Sequence, residues 1–309
     1  MSIKATKGKA IFGNHPVTEG PKNEPLYLTP DTFSQFVYPD FGTMDQPNLN
    51  FVYFSSETLT VGEQIVAPGG FFDPPDYHPG DETYFVLEGS VTQYCPETGQ
   101  VIKIKEGEAL LIPQGVGHNA YNFEDTVCRI IFVIAPKIVE DQLFPDNFNY
   151  PKKLVKGPSH EMFRPIGDWD EEQRYGTLDD IGRWPAEGKL MREMHTLYPI
   201  YENKKLLAIH GYDRPMLIKF SVSTDYMHVG EFIVCRGGAV NGHSETISHQ
   251  GETVLIGVDG PLTVYLMETR EAFVLNPRDG MYLPPNTEYR LVNYSDRTGR
   301  VLFCVGDKF

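Results

Sequence analysis

From about residue 50 the chain reads as short runs rich in Val, Ile, Phe, Tyr and Thr, broken by Gly, Pro and Asp: NFVYFSSETLT, ETYFVLEG, SVTQYC, ALLIP and CRIIFVIA. Runs of this length and spacing predict antiparallel strands closing into a sandwich or barrel. A similar series returns as MLIKFSVS, EFIVCR, ETVLIGVDG, LTVYLM, GMYLPP, YRLVNYS and RVLFCVG. Aligning the two series pairs Glu82-Thr83 with Glu252-Thr253, Pro113 with Pro284, Asn122 with Asn293 and Phe132 with Phe303, at an offset of about 171 positions. One β fold is therefore expected twice, over residues 50–136 and 216–309.

Between these halves, residues 137–215 change character: DWDEEQRYGTLDDIGRW and PAEGKLMREMHTLYPIYENKK carry many charges and little alternation, which predicts a partly helical connector. Residues 1–49, rich in Pro and Asn, read as an N-terminal arm packing along a barrel or across to a second subunit. The composition agrees with two ordinary cores, since 309 residues are 40% hydrophobic. A formal charge of −15 and the lack of a Lys/Arg-rich run argue against a nucleic-acid partner. No apolar stretch approaches the roughly 20 residues of a membrane helix. The segment MSIKATKGKAIFG lacks the apolar core of a secretory signal, and VGDKF matches no lipidation or sorting signal, so a cytoplasmic protein is expected. Cys95, Cys128, Cys235 and Cys304 form no Cys-x-x-Cys pair and read as free thiols.

The chemistry-bearing residues cluster in GGFFDPPDYHPGDETYFVLEG and GEALLIPQGVGHNAYN. In the first segment Gly70 is followed after five residues by Asp76, after one more by His78, after three by Glu82 and after six by Gly89. In the second, Gly107 is followed after five residues by Pro113, after one by Gly115, after two by His118 and after three by Asn122. These spacings resemble the two signature motifs of the cupin superfamily, small jelly-roll barrels with a metal at the barrel centre. The resemblance covers the first barrel directly and, through the internal duplication, implies an all-β chain of two jelly-roll barrels.

The spacing also has a physical reading. His78 and Glu82 are an even number of residues apart, so on extended backbone they share one face of a sheet. His118 follows a Pro-Gln-Gly-Val-Gly turn that can bring a second strand alongside, completing a set of two imidazoles and one carboxylate with open metal positions. A lone His or Glu in a strand is usually a surface or satisfied polar group, and it is the joint pattern that carries the prediction. Such donors suit one divalent transition metal, with Fe(II) favoured and Mn(II), Ni(II), Co(II) or Zn(II) possible. Where most cupins place His-x-His, this chain has Asp76-Tyr77-His78. Asp76 is either a fourth ligand or a carboxylate standing back as hydrogen-bond acceptor or general base, and Glu82 is a second candidate for proton transfer. Tyr84, Tyr94, Asn122 and Arg129 are candidates to line a substrate pocket.

The second half keeps the frame and loses the site. Anchored on Glu252, the alignment puts Ser248 where His78 stands and Tyr289 where His118 stands, with His249 displaced by one residue and facing away unless a bulge restores it. His243, Glu245 and Glu252 are close enough in sequence for a differently built site. The resemblance implies a small-molecule substrate and a homodimer. It points first to a dioxygenase acting on a small phenol, enol or diketone, and otherwise to an oxygen-independent isomerase, lyase or hydrolase, or to a non-catalytic binder.

Overall fold

The computed structural model describes residues 23–38, 48–56, 58–72, 75–136, 188–210, 215–237 and 246–309. The first part supplies β1 (Leu26–Leu28), β2 (Ser34–Tyr38), β3 (Asn48–Ser55), β4 (Thr60–Val66), β5 (Asp81–Glu88), β6 (Ser90–Tyr94), β7 (Val101–Lys105), β8 (Ala109–Ile112), β9 (Asn119–Tyr121) and β10 (Cys128–Ala135). A short helix, α1 (Gly188–Met194), precedes β11 (Tyr198–Ile200), β12 (Leu206–His210), β13 (Met216–Ser223), β14 (Met227–Val234) and β15 (Thr253–Asp259). The chain ends with β16 (Leu262–Leu266), β17 (Ala272–Leu275), β18 (Gly280–Leu283), β19 (Tyr289–Val292) and β20 (Gly299–Gly306). The all-β expectation holds; of the segment read as a partly helical connector, residues 137–187 and 211–214 lie outside the described residues and the rest includes the short α1, and no helix among the described residues is long and apolar enough to cross a membrane.

The first barrel joins a seven-stranded sheet, β11-β8-β5-β10-β4-β3-β2, to a three-stranded one, β7-β6-β9. The second joins β1-β18-β15-β20-β14-β13-β12 to β17-β16-β19. The sheets thus draw strands from both segments read as arm and connector. β1 pairs with β18 of the second barrel and β11 with β8 of the first, so the two halves exchange one short edge strand each. With three residues apiece, these strands are too short for an alternation pattern to announce them.

Strand alternation under burial on both faces positions everything else. In β10, Cys128, Ile130, Phe132 and Ile134 point into the first barrel with Tyr84, Val86 and Leu110. Ile131, Val133 and Ala135 point the other way, into a core shared with Val229, Val254, Ile256 and Leu302 of the second barrel. The two large sheets therefore lie back to back, with Phe54 and Tyr282 stacked at 4.0 Å between ring centroids. Polar clamps cross the same region: fully buried Glu63 accepts hydrogen bonds from Arg129 of its own barrel at 2.8 Å and from Arg278 of the second barrel at 2.9 Å. Its counterpart Glu231 is held by Lys205 and Arg300.

The ladders correct the alignment of the halves. Glu82 lies opposite Ile112 as Thr253 lies opposite Leu283, and the bridge Asp76–His118 matches the bridge Ile247–Tyr289. Thr253, not Glu252, therefore occupies the Glu82 position, and His249, not Ser248, occupies that of His78. The Glu-Thr identity is one residue out of step with the ladder, and one residue reverses the facing of a strand side chain. Glu252 instead accepts hydrogen bonds from Ser56, Thr58 and Tyr282 on the side away from the barrel interior. His249 is enclosed, with Nε2 2.9 Å from the Tyr289 hydroxyl and the Phe309 ring 4.4 Å away. The Asp76 and Glu82 positions hold Ile247 and Thr253, so no carboxylate replaces them; His243 and Glu245 lie outside the described residues.

Two measurements follow from this packing. A Cβ on Gly62 would come within 2.2 Å of Phe132 Cζ and 2.7 Å of the Phe51 carbonyl oxygen. Gly62→Ala is expected to destabilise the protein by about 1–3 kcal/mol, read as a lower urea midpoint. Burial, with His228 nearby, pushes the His249 imidazole down to about 4. The unfolded chain takes up that proton near pH 6.5 and the folded chain does not, so stability is lost as pH falls from about 6.5 to about 4, by roughly 3 kcal/mol. Urea titrations across this window should show a smaller loss for His249→Phe.

Candidate metal centre

Three local structures bring the site residues together. Asp76 and His78 lie on the extended segment entering β5, Glu82 is the second residue of β5, and His118 immediately precedes β9. The Asp76 N–H donates to the His118 carbonyl at 2.8 Å and the His118 N–H donates back at 3.1 Å, fastening the two segments at the site itself. Gly115, at φ 73°, turns the chain between them and donates its N–H to the His78 carbonyl at 3.0 Å. Behind Glu82, Asp81 is gripped by two nitrogens of Arg192 from α1 at 2.7 and 3.0 Å, and Arg192 also reaches Asp225 of the second barrel.

Asp76, His78 and His118 each offer a ligand atom within 4.8 Å of the others, and all three are buried. Glu82 stands closer still: its Oε2 is 3.0 Å from His118 Nε2 and 3.3 Å from His78 Nε2, while Asp76 Oδ2 is 3.3 Å from His78 Nε2. Burial by itself would keep His78 neutral, yet the Asp76 and Glu82 carboxylates outweigh it and hold the imidazole well above its usual range. Burial likewise opposes the Glu82 carboxylate, but His78 and His118 outweigh it and its pKa is lowered. Burial and the two carboxylates keep the Tyr84 hydroxyl protonated, 3.4 Å from His118 Nε2.

These donors fit a divalent metal. Two ligand atoms each about 2.1 Å from an ion and at right angles to one another stand about 3 Å apart. The His78–Glu82–His118 separations have that size. Glu82 Oε2 is also enclosed beside two ring nitrogens without a well-directed hydrogen bond from either. An unmet buried acceptor costs about 1–3 kcal/mol and asks for a missing partner. The same negative field that raises His78 favours a dication, and nitrogen with carboxylate oxygen suits the transition metals.

The structure sorts the expected pocket residues. Tyr84 faces the interior beside His118. Arg129 does not: it shares the outward face of β10 with Ile131 and pairs with Glu63 and Glu88. Tyr94 alternates with inward-facing Val91 and Gln93, which turns it out of the barrel. Asn122 fastens a loop, its amide donating to the carbonyls of Val66 at 2.9 Å and Thr126 at 2.8 Å. Asn293 does the same in the second barrel through Val234 and Arg297. Three interior residues escaped the sequence reading: Asn50, Gln64 and Gln93 are 3%, 5% and 0% exposed. Comparison of the halves at the correct register would have found them, because the second barrel is apolar at those positions.

Comparison with known proteins agrees with this geometry. Residues 62–134 match the family model described as Cupin domain. A curated relative, 3-hydroxyanthranilate 3,4-dioxygenase of Meyerozyma guilliermondii, is 29% identical over 86 residues, 26% of this chain and 51% of the relative, so the chain matches about half of that protein's length. Among solved structures, the oxalate decarboxylase formate complex of Lactobacillus farciminis is similar with a TM-score of 0.55 at 13% identity, covering 96% of this chain and 89% of that one. Vicilin of Corylus avellana is similar with a TM-score of 0.56 at 13% identity, covering 91% and 85%. Residues 62–134 therefore carry a cupin domain, and the chain as a whole shares the two-barrel fold of these solved structures.

Proposed function

We propose that the first barrel is a metal-dependent enzyme of the dioxygenase class acting on a small phenolic, enol or diketone substrate. The observation that carries this reading is the convergence of two imidazoles and Glu82 within 3.0–3.3 Å at a buried point of the barrel. His78, Glu82 and His118 hold the ion in this reading, Fe(II) being favoured. A divalent transition metal bound there supplies Lewis acidity and coordination positions left open to substrate.

The remaining work falls to the chain. Asp76 keeps 12% of its side chain exposed, the most of the four donor residues, and one of its oxygens already accepts the Tyr77 N–H at 2.9 Å. Its other oxygen, 3.3 Å from His78 Nε2, would take the proton of a substrate hydroxyl as general base. Tyr84 keeps its own proton and offers a hydrogen-bond donor to substrate oxygen beside His118. The enclosed interior around these groups keeps bulk water away, which strengthens each polar contact. The dioxygenase relative supports oxygen chemistry over the matched segment. A second reading, oxygen-independent Lewis-acid chemistry on a carbonyl substrate, is favoured by the additional carboxylate at Asp76.

Elemental analysis of protein purified without added metal or chelator should find close to one equivalent of a divalent transition metal, and His118→Ala should lose most of it. Absence of metal from the parent after anaerobic reconstitution would overturn the proposal. In Asp76→Asn, metal content should persist while turnover falls on the order of a hundredfold or more. Removing dioxygen should abolish turnover of a matched enol or phenol; undiminished anaerobic turnover, retained with Zn(II), would select the second reading.

A further inference from the structure

The two barrels share a frame, so each is a control for the other. Asn50 and Gln64 lie opposite one another on β3 and β4, and at the same place in the second barrel Ile218 lies opposite Phe232. Gln93 of β6 lies opposite Ala120, two residues beyond His118, and its counterpart is Val264, opposite Leu291. Three interior positions that are apolar where the site is lost are therefore amides where it is present. Much of their hydrogen-bonding capacity is unspent: Gln93 is fully buried with neither amide atom bonded and Gln64 Oε1 is buried and unbonded, while Asn50 makes one long bond, its Nδ2 donating to the Asn48 carbonyl at 3.4 Å. A protein interior does not leave both ends of an amide unmet without a partner to meet them.

The charge of the site narrows the partner. Residues 48–136 contain three Lys and Arg residues, Lys103, Lys105 and Arg129. The two lysines occupy exposed positions of β7, and Arg129 is turned outward to Glu63 and Glu88. Among the described residues of the first barrel, then, no cationic side chain faces the interior. Asp76 and Glu82 already balance a dication, so an additional carboxylate would enter a buried space with no counter-charge.

We infer that Asn50, Gln64 and Gln93 form the substrate-recognition wall of the first barrel, and that they select an uncharged molecule bearing hydroxyl and carbonyl groups over a carboxylate. The inference rests on the metal-dependent reading of this barrel and specifies its substrate class. Amides both donate and accept, which suits a hydroxy-ketone or its enol. The relative's named substrate, 3-hydroxyanthranilate, carries a carboxylate, so on this inference the two proteins differ in the group they read at this wall.

Kojic acid and comenic acid test this directly. Both chelate through the same hydroxy-ketone and differ at a remote ring position, hydroxymethyl in the first and carboxylate in the second. The full-length chain is loaded with Co(II), its cobalt content is measured, and both compounds are titrated by calorimetry. Kojic acid should bind at least tenfold more tightly. Gln93→Met, which keeps the side-chain length and removes the amide, should erase that preference at unchanged cobalt content. Equal or tighter binding of comenic acid, or an unchanged ratio in the variant, overturns the inference. Failure to load cobalt is a separate result that removes the metal-centre reading and this inference with it. Thermal unfolding of the metal-free proteins adds an independent readout: Gln93→Met should raise the melting midpoint by relieving the unmet amide. A lowered midpoint with unchanged binding would make Gln93 part of a structural water network and overturn its recognition role.

Discussion

Burial on both faces of the large sheets is the constraint on which the rest of this structure depends. β5 points Glu82, Tyr84 and Val86 into the first barrel, while Phe85 packs into the core between the barrels. A slip of one residue would drive Glu82 into that shared core and bring Phe85 to the metal centre. Two apolar cores therefore police one register, and the site inherits its position from hydrophobic packing rather than from its own polar contacts. The exchange of β1 and β11 ties the barrels further, because each large sheet needs an edge strand from the other half.

Within that frame the halves separate what is architectural from what is chemical. Gly62 and Gly230 lie beneath Phe132 and Phe303, Asn122 and Asn293 fasten the same loop, and Glu63 and Glu231 anchor the same kind of cationic clamp. These features persist in both barrels and so belong to folding. The two carboxylates, His118 and the interior amides belong to the first barrel, whereas the second keeps a single imidazole, His249, and fills the rest of the same space with Ile218, Phe232, Ile247 and Tyr289. Polar groups in a barrel interior oppose folding unless they are partnered, and an apolar replacement of similar size relieves that cost. Their presence on one side only is what the proposed function of the first barrel would require at the expense of stability.

The candidate metal centre is braced from outside its own barrel. Arg192 joins Asp81, the neighbour of Glu82, to Asp225 of the second barrel, and its guanidinium lies 3.6 Å over the Tyr226 ring. The first barrel supplies the donors, while α1 and the second barrel hold the strand that carries one of them. A degenerate second barrel thus still contributes rigidity to the first.

The sequence by itself determined the all-β class, the duplication and the Asp76, His78, Glu82, His118 constellation. Those features are local: alternation within single strands, glycine and proline at turns, and ligands at fixed spacing along extended backbone. Only the tertiary structure decided the exchanged edge strands, since three residues are too few to show a period. It also decided facing. Arg129 and Tyr94 were placed near the pocket by proximity in sequence, yet strand alternation turns both outward, and Asn122 spends its amide on a loop. The match of Glu252 to Glu82 failed for the same reason, a one-residue difference that sequence identity hides and a hydrogen-bonded ladder exposes. Asn50, Gln64 and Gln93 remained silent because an amide in a strand has no signature until its neighbours across the barrel are known. Which face a side chain occupies is set by long-range pairing, and long-range pairing is what a linear pattern of residues does not contain.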